Sequence, residues 1–180
     1  MITSEAARRY ARALVAVAER EGAVDPVGEE LSALADMVAG HRELRRVLMN
    51  PRFPRPDRIR MIEGILESGG ARPLLRKFAR LVLEKDRLAD LPAMAVIYRE
   101  FADEKAGRAR AQVRSAYPLD EALAARLKAK LGAMTGKEVL LEVERDPGLI
   151  GGLVCQVGGV VMDGSIRNQL KNLRETLTVK

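Results

Sequence analysis

Apolar residues in this chain recur every three to four positions for roughly the first hundred residues, then at every second position beyond Gly107. The first spacing matches the 3.6-residue turn of a helix and the second the alternation of a strand, so one architecture cannot serve both halves. A chain of 180 residues allows one substantial domain or two small ones. The change of period makes two the natural reading.

From Ser4 to Glu21, Ala7, Tyr10, Ala11, Leu14, Val17 and Ala18 form one stripe, and Gly22 ends it. Asp25-Pro26 predicts the next start, with Asp as cap and Pro at the first helical position, and Leu31, Leu34 and Val38 mark a buried face up to Gly40. A short third helix is expected over His41 to Leu48. It stops at Asn50-Pro51, where Pro51, Pro54 and Pro56 keep the link extended. A fourth helix, capped by Asp57, carries Ile59, Ile62, Ile65 and Leu66. A fifth carries Leu74, Leu75, Phe78, Leu81 and Val82. A sixth begins near Leu88 and continues through Leu91, Ala95, Tyr98, Phe101 and Ala102. Such single-faced segments are not stable alone and are expected to pack as a six-helix bundle.

Beyond Gly107, Ala109, Ala111, Val113 and Ser115 alternate with polar residues in a first strand. Asp120 opens a helix with Leu123, Leu127 and Leu131 on one face. Val139, Leu141 and Val143 mark a second strand, and a third is expected over Leu153 to Met162. Asp163-Gly164 turns the chain, and Ser165 caps a last helix with Ile166, Leu170, Leu173 and Leu177. The expected class is α+β: a six-helix bundle over residues 1–105 and a small β-α-β-β-α domain over 106–180.

Chemistry is sparse. Cys155 is the single cysteine and His41 the single histidine, which argues against an internal disulfide and against a His/Cys metal site. Cys155 sits in an apolar alternation and is expected to fill a core. Gly151, Gly152, Gly158 and Gly159 have neither G-x-G-x-x-G nor P-loop spacing, so a bulge or a close approach of strands is the better account. Ser165 lacks the G-x-S-x-G context of a nucleophile. Glu142 and Glu144 share a strand face within a solvent pattern. No catalytic residue, cofactor or metal is expected. No apolar run reaches the length of a membrane span, and the N-terminus lacks the apolar core of a signal peptide.

The formal net charge is +6, with seven arginines and two acids between residues 42 and 60. That patch suits a nucleic acid, a membrane surface or an acidic protein, and charge alone does not choose among them; genomic composition is an equal alternative account. Arg108, Arg110 and Arg114 on the first strand leave a basic two-domain nucleic-acid-binding module as the alternative function, although no G-x-x-G clamp or stacking aromatic pair accompanies them. Elimination favours an interaction protein. The alanine-rich first helix offers either a groove for a partner helix or simply a centrally packed bundle helix.

Arg9-Tyr10-Ala11-Arg12-Ala13-Leu14, Asn50-Pro51, Arg87-Leu88 and Leu91-Pro92, followed by Ser115-Ala116, Pro118-Leu119, Gly136-Lys137, Asp146-Pro147, Leu149-Ile150-Gly151-Gly152 and Asp163-Gly164-Ser165-Ile166-Arg167, occur in an order that resembles the delta subunit family of F-type ATP synthases, which includes the oligomycin-sensitivity-conferring protein. The resemblance spans about residues 4–178. It implies a non-catalytic stator subunit linking the catalytic head of a proton- or sodium-driven synthase to its peripheral stalk. The implied partners are the N-terminal helix of an alpha subunit, the C-terminus of the stalk b subunit, and the beta subunit within the same complex, with no nucleic acid. The implied head surface is Tyr10, Ala11, Ala13, Leu14 and Val17 with Leu74, Phe78, Leu81 and Val82; the implied stalk surface is Ile150, Val154, Val161, Ile166, Leu170 and Leu173. Some of these residues must fill domain cores instead. The implied location is peripheral, on the cytoplasmic face of a bacterial plasma membrane, with a mature organelle form as the other option.

Overall fold

The computed structural model describes residues 5–158 and 160–170, and the chain divides into two compact units, Met1–Ala102 and Asp103–Lys180. The architecture is mixed α+β. The first unit contains α1 (Glu5–Arg20), α2 (Val24–Gly40), α3 (Arg42–Met49), α4 (Arg55–Ser68), α5 (Pro73–Glu84), a 3-10 turn (Leu88–Asp90) and most of α6 (Leu91–Lys105). The second contains β1 (Arg108–Ser115), α7 (Glu121–Thr135), β2 (Glu138–Arg145), β3 (Leu153–Val157), β4 (Val160–Asp163) and a helical stretch over 166–170. Leu173 and Leu177, expected on the last helix, lie outside the described residues.

Several boundaries differ from the sequence reading. Helix α2 starts at Val24 with Ala23 before it and no side-chain cap, which moves Asp25 and Pro26 into the first turn. Helix α4 starts at Arg55, ahead of Asp57, because Pro54 and Pro56 supply the fixed φ that a first turn requires. The segment expected to open the sixth helix at Leu88 is a separate 3-10 turn. Its Leu88 is nonetheless buried.

The buried face of α1 is Ala7, Ala11, Leu14, Val15 and Ala18, rotated from the predicted stripe toward Val15 and away from Val17. Ala7, Ala11 and Ala18 are fully buried, and their small side chains let neighbouring helices come close. The largest fully buried side chain is Tyr98 of α6. Its hydroxyl donates to the Val24 carbonyl at 2.8 Å, and its ring lies where a Cβ on Gly28 would come within 3.0 Å. Arg58 is also buried, donating to the Leu48 carbonyl at the end of α3 at 2.9 Å and pairing with Asp86 at 3.5 Å. Asp86 holds φ at 52°, an unusual conformation for a residue with a side chain. Its carboxylate also accepts from Arg55 at 2.9 Å, so one aspartate ties the start of α4 to the turn after α5, and Arg58 carries the tie on to the end of α3.

In the second unit the strand order is β2-β1-β3-β4. Strand β1 pairs parallel with β2 across the α7 crossover, and antiparallel with β3, which continues antiparallel to β4. The single strand expected over Leu153 to Met162 is therefore a hairpin, and the expected β-α-β-β-α order gains a strand. Gly158, with φ of 56°, takes the left-handed conformation that lets so short a turn reverse the chain. Asp120 caps α7 by accepting from the Leu123 N–H at 2.6 Å, as its place in the sequence suggests. Leu127 and Leu131 of α7 pack on Ala111, Val113, Val139, Cys155 and Val157. The other sheet face presents the alternate positions of each strand.

The glycine pair Gly151-Gly152 serves a close approach of backbones. Gly151 accepts from the Ile166 N–H at 3.0 Å, and Gly164 donates to the Leu153 carbonyl at 2.9 Å. A Cβ on Gly152 would lie 2.3 Å from the Gly164 carbonyl oxygen, and the residue's φ is 81°. Gly152→Ala combines a left-handed backbone with a collision against main chain. It should destabilise the second unit by about 2–4 kcal/mol, seen as an earlier melting transition or as faster proteolysis beyond residue 103.

Tyr98→Phe should cost the helical unit about 1 kcal/mol at neutral pH, a few degrees in Tm. Burial, with Asp25 adding to it, raises the Tyr98 phenol well above its ordinary range. The unfolded phenol ionises near its ordinary value while the folded one keeps its proton. Stability therefore falls as pH rises past about 10, and Tyr98→Phe should flatten that alkaline loss in chemical denaturation curves.

Candidate partner-binding surfaces

The groups that could carry chemistry are occupied with structure. Cys155 is buried in the core beneath α7, and burial raises its thiol pKa, which holds it protonated and unreactive. His41 is exposed, and its Nδ1 lies 2.9 Å from the Met37 carbonyl at the end of α2. The Ser165 hydroxyl accepts from the Asn168 N–H at 3.2 Å, and the Asp163 carboxylate accepts from the Ser165 N–H at 2.9 Å. Hydrogen bonding from the Ser165 hydroxyl, and then from the Ser165 N–H, holds the Asp163 pKa below its ordinary value, with Arg114 adding to the effect. Among the described residues, no group of three His, Cys, Asp or Glu is placed to hold a metal ion.

The arginines of β1 are neutralised where they stand. Arg110 is clamped by the buried Asp103 and donates to Glu142 at 2.7 Å, Arg108 lies 3.5 Å from Asp103, and Arg114 donates to Asp146 at 3.4 Å. A strand whose guanidiniums are already held by carboxylates has little charge left for a phosphate backbone. In the arginine-rich segment, Arg46, Arg55, Arg58 and Arg60 likewise have acidic partners.

The nine residues of the expected head surface separate by depth. Ala11, Leu14, Phe78 and Val82 belong to the helical core, and Tyr10 and Leu74 are half-buried against it. Ala13, Val17 and Leu81 are exposed, the last two at 39% and 41%. Tyr10 meets Phe78 edge-on with ring centroids 6.5 Å apart, which makes α1 and α5 neighbours. Ala13 and Val17 lie three and seven residues beyond Tyr10 on α1, and Leu81 three beyond Phe78 on α5, so each shares the helix face of its ring. Arg8 and Arg12 turn to the other side of α1, over the Phe101 ring at 5.6 and 5.4 Å.

On the second unit, Ile150, Val161, Ile166 and Leu170 are exposed, while Val154 is almost wholly buried. Leu173 lies outside the described residues. Ile166 covers Gly151, where a Cβ would come within 2.5 Å of its Cδ1. A cleft of about 510 Å³ opens on the sheet face away from α7, lined by Gln112, Arg114, Glu142, Glu144, Val154, Gln156 and Val161 among others. Of these, the sequence reading assigned Val154 and Val161 to the stalk surface and Arg114 to the nucleic-acid alternative, and left the others unassigned. Alternation alone put Gln112 and Arg114 on one face of β1 and Glu142 and Glu144 on one face of β2. Only the pairing register brings those rows side by side.

With these surfaces in place, comparison with known proteins gives a consistent result. The family described as ATP synthase delta (OSCP) subunit matches residues 6–177. ATP synthase subunit delta of Myxococcus xanthus is 42% identical over 179 residues, covering 98% of both chains. The protein of the same name from Anaeromyxobacter dehalogenans strain 2CP-C is 42% identical over 180 residues, covering 98% of this chain and 99% of its own. A chain in a structure of the Toxoplasma gondii mitochondrial ATP synthase hexamer shares the fold at a TM-score of 0.70 and 17% identity, covering 97% of this chain and 98% of that one. Both the helical unit and the sheet unit lie within these matches, and this chain belongs to the ATP synthase delta (OSCP) subunit family.

Proposed function

We infer that the chain is the delta subunit of an F-type ATP synthase, a non-catalytic stator component of the rotary complex. The observation that carries this is the match to delta subunits along nearly the whole of both chains, through the helical unit and the sheet unit alike. A rotor driven by proton or sodium-ion flow delivers work to the catalytic head only if the head is held against the torque. A tie with one unit on the head and the other on the stalk meets that need, and its contribution is binding and stiffness, with no bond made or broken.

We assign the head contact to the helical unit, read as the family's six-helix bundle with the 3-10 turn leading into its sixth helix. The strip of Ala13, Val17 and Leu81, over Tyr10, Leu74 and Phe78, suits the apolar face of a helix at the N-terminus of an alpha subunit. Beta subunits belong to the same head. We assign the stalk contact, at the C-terminus of the b subunit, to the second unit. No helix among the described residues is long and apolar enough to cross a membrane. Membrane association is therefore read as passing through the complex, at the cytoplasmic face of a bacterial plasma membrane. The nucleic-acid alternative loses its main support in the paired arginines of β1.

Membrane vesicles stripped of this chain should lose ATP-driven ion pumping and regain it when the pure chain is added back. The pure chain should hydrolyse no ATP. Recovery from native membranes with RNA alone, and without alpha, beta or b subunits, would reject the reading.

Ala13 is exposed, so Ala13→Trp should leave the melting transition in place. An indole there should nevertheless block a closely docked helix and weaken binding of an alpha N-terminal peptide by about tenfold or more, while Arg20→Ala leaves it unchanged. Titration calorimetry with a melt of the same sample checks both statements. Unchanged affinity would remove Ala13 from the head surface.

A further inference from the structure

We propose that the stalk partner sits on the open face of the four-stranded sheet, and that its occupant is a helix whose apolar stripe is flanked by lysine or arginine. This rests on the assignment of the second unit to the stalk, and it adds the surface and the chemistry of the partner.

One face of the sheet is closed by α7 through Leu127 and Leu131. The other carries the 510 Å³ cleft. Its floor has an apolar part in Val154 and Val161, which stand on neighbouring strands; Val161 keeps 59% of its surface exposed. An isolated exposed valine needs no partner. One that borders a concave cleft, with Val154 on the neighbouring strand, forms a patch that an apolar stripe can dry.

The charge of the face gives the partner's sign. Arg110 is held by Asp103 and Glu142, and Arg114 by Asp146, with Asp163 also acting on it. These carboxylates outnumber the guanidiniums they meet. Glu144 adds to the excess, exposed on the cleft wall with no ion pair among the described residues. A chain of net charge +6 thus presents a locally acidic surface around an apolar floor. Lysine or arginine beside an apolar stripe would meet Glu144 and Glu142 while the stripe covers Val154 and Val161. The charges set orientation and the apolar contacts supply most of the affinity. The same acidity opposes a phosphate backbone.

The test titrates the full chain with the soluble C-terminal segment of the b subunit from the same organism, using calorimetry at two salt concentrations and circular dichroism on each variant. Val161→Asp should weaken binding about tenfold or more, because an unpaired carboxylate would be buried under the partner. Glu144→Lys changes an exposed, unpaired side chain and should preserve the fold. It should weaken binding about fivefold at low salt, and the loss should shrink as salt rises. Wild-type affinity in both variants, with release by Ile166→Asp or Leu170→Asp, would overturn the sheet-face assignment and leave the stalk role standing. Failure of the unaltered chain to bind the segment would remove the stalk role itself. Self-association of the free chain that Val161→Asp abolishes would give the face to a second copy and overturn the proposal.

Discussion

Close approach of main chain to main chain is the constraint on which both units depend. With no Trp and only three Phe and three Tyr, the chain cannot fill wide gaps between its elements with large rings. The elements must come near one another instead. In the helical unit Ala7, Ala11 and Ala18 let α1 sink into the core, and Gly28 leaves room for the ring of Tyr98. In the sheet unit Gly152 passes so near the backbone of Gly164 and Ser165 that a methyl group has no place, and Gly151 lies as close beneath the side chain of Ile166. Cores built this way carry few adjustable side chains, so they tolerate added volume poorly. A part that transmits torque benefits from that stiffness.

Charge is organised around the same frame. Most of the arginines that make the chain basic on paper act locally. Arg58 fastens the end of α3 and Asp86, Arg110 bridges Asp103 and Glu142, and Arg72 pairs with Glu30, whose carboxylate also accepts from the Arg72 N–H that precedes α5. Surface pairs of this kind add little stability one by one, but Arg58 and Asp103 are buried, and removing a buried partner is costly. One consequence is functional. A net positive chain need not present a positive surface everywhere, and the open sheet face is acidic although its central strand contains three arginines.

The two proposed binding surfaces differ in kind. The one assigned to α1 and α5 borders the helical core, so a helix docked there would extend a core that already exists. The sheet face has a small apolar floor inside a polar rim and rests on a unit with only a modest core of its own. A partner bound there stabilises the unit by mass action as well as gripping it. On the proposed assignment, strength at the head and coupled stability at the stalk are the physical counterparts of holding a rotating machine at two points.

By itself the sequence determined what depends on neighbours along the chain. The two periods placed helices before Gly107 and strands after it, Asp120 and Ser165 capped the helices they precede, and the ordered motifs along both halves carried the resemblance to the delta family. Gly151-Gly152 was legible as a site of close approach, since no nucleotide spacing surrounded it, whereas Gly158, expected to serve a bulge or a close approach, lies in the turn between β3 and β4. Only the tertiary structure decided what depends on neighbours in space. It split Leu153 to Met162 at Gly158, because an alternating run keeps the same pattern whether it continues or folds back. It rotated the buried face of α1 toward Val15, because alanines around the helix left its phase open. It sorted Ala11, Leu14, Phe78 and Val82 inward and Ala13, Val17 and Leu81 outward, and it set the acidic row of β2 beside the basic row of β1. Periodicity gives a face to each element, but which face is buried, and what lies opposite, is settled by the partner element.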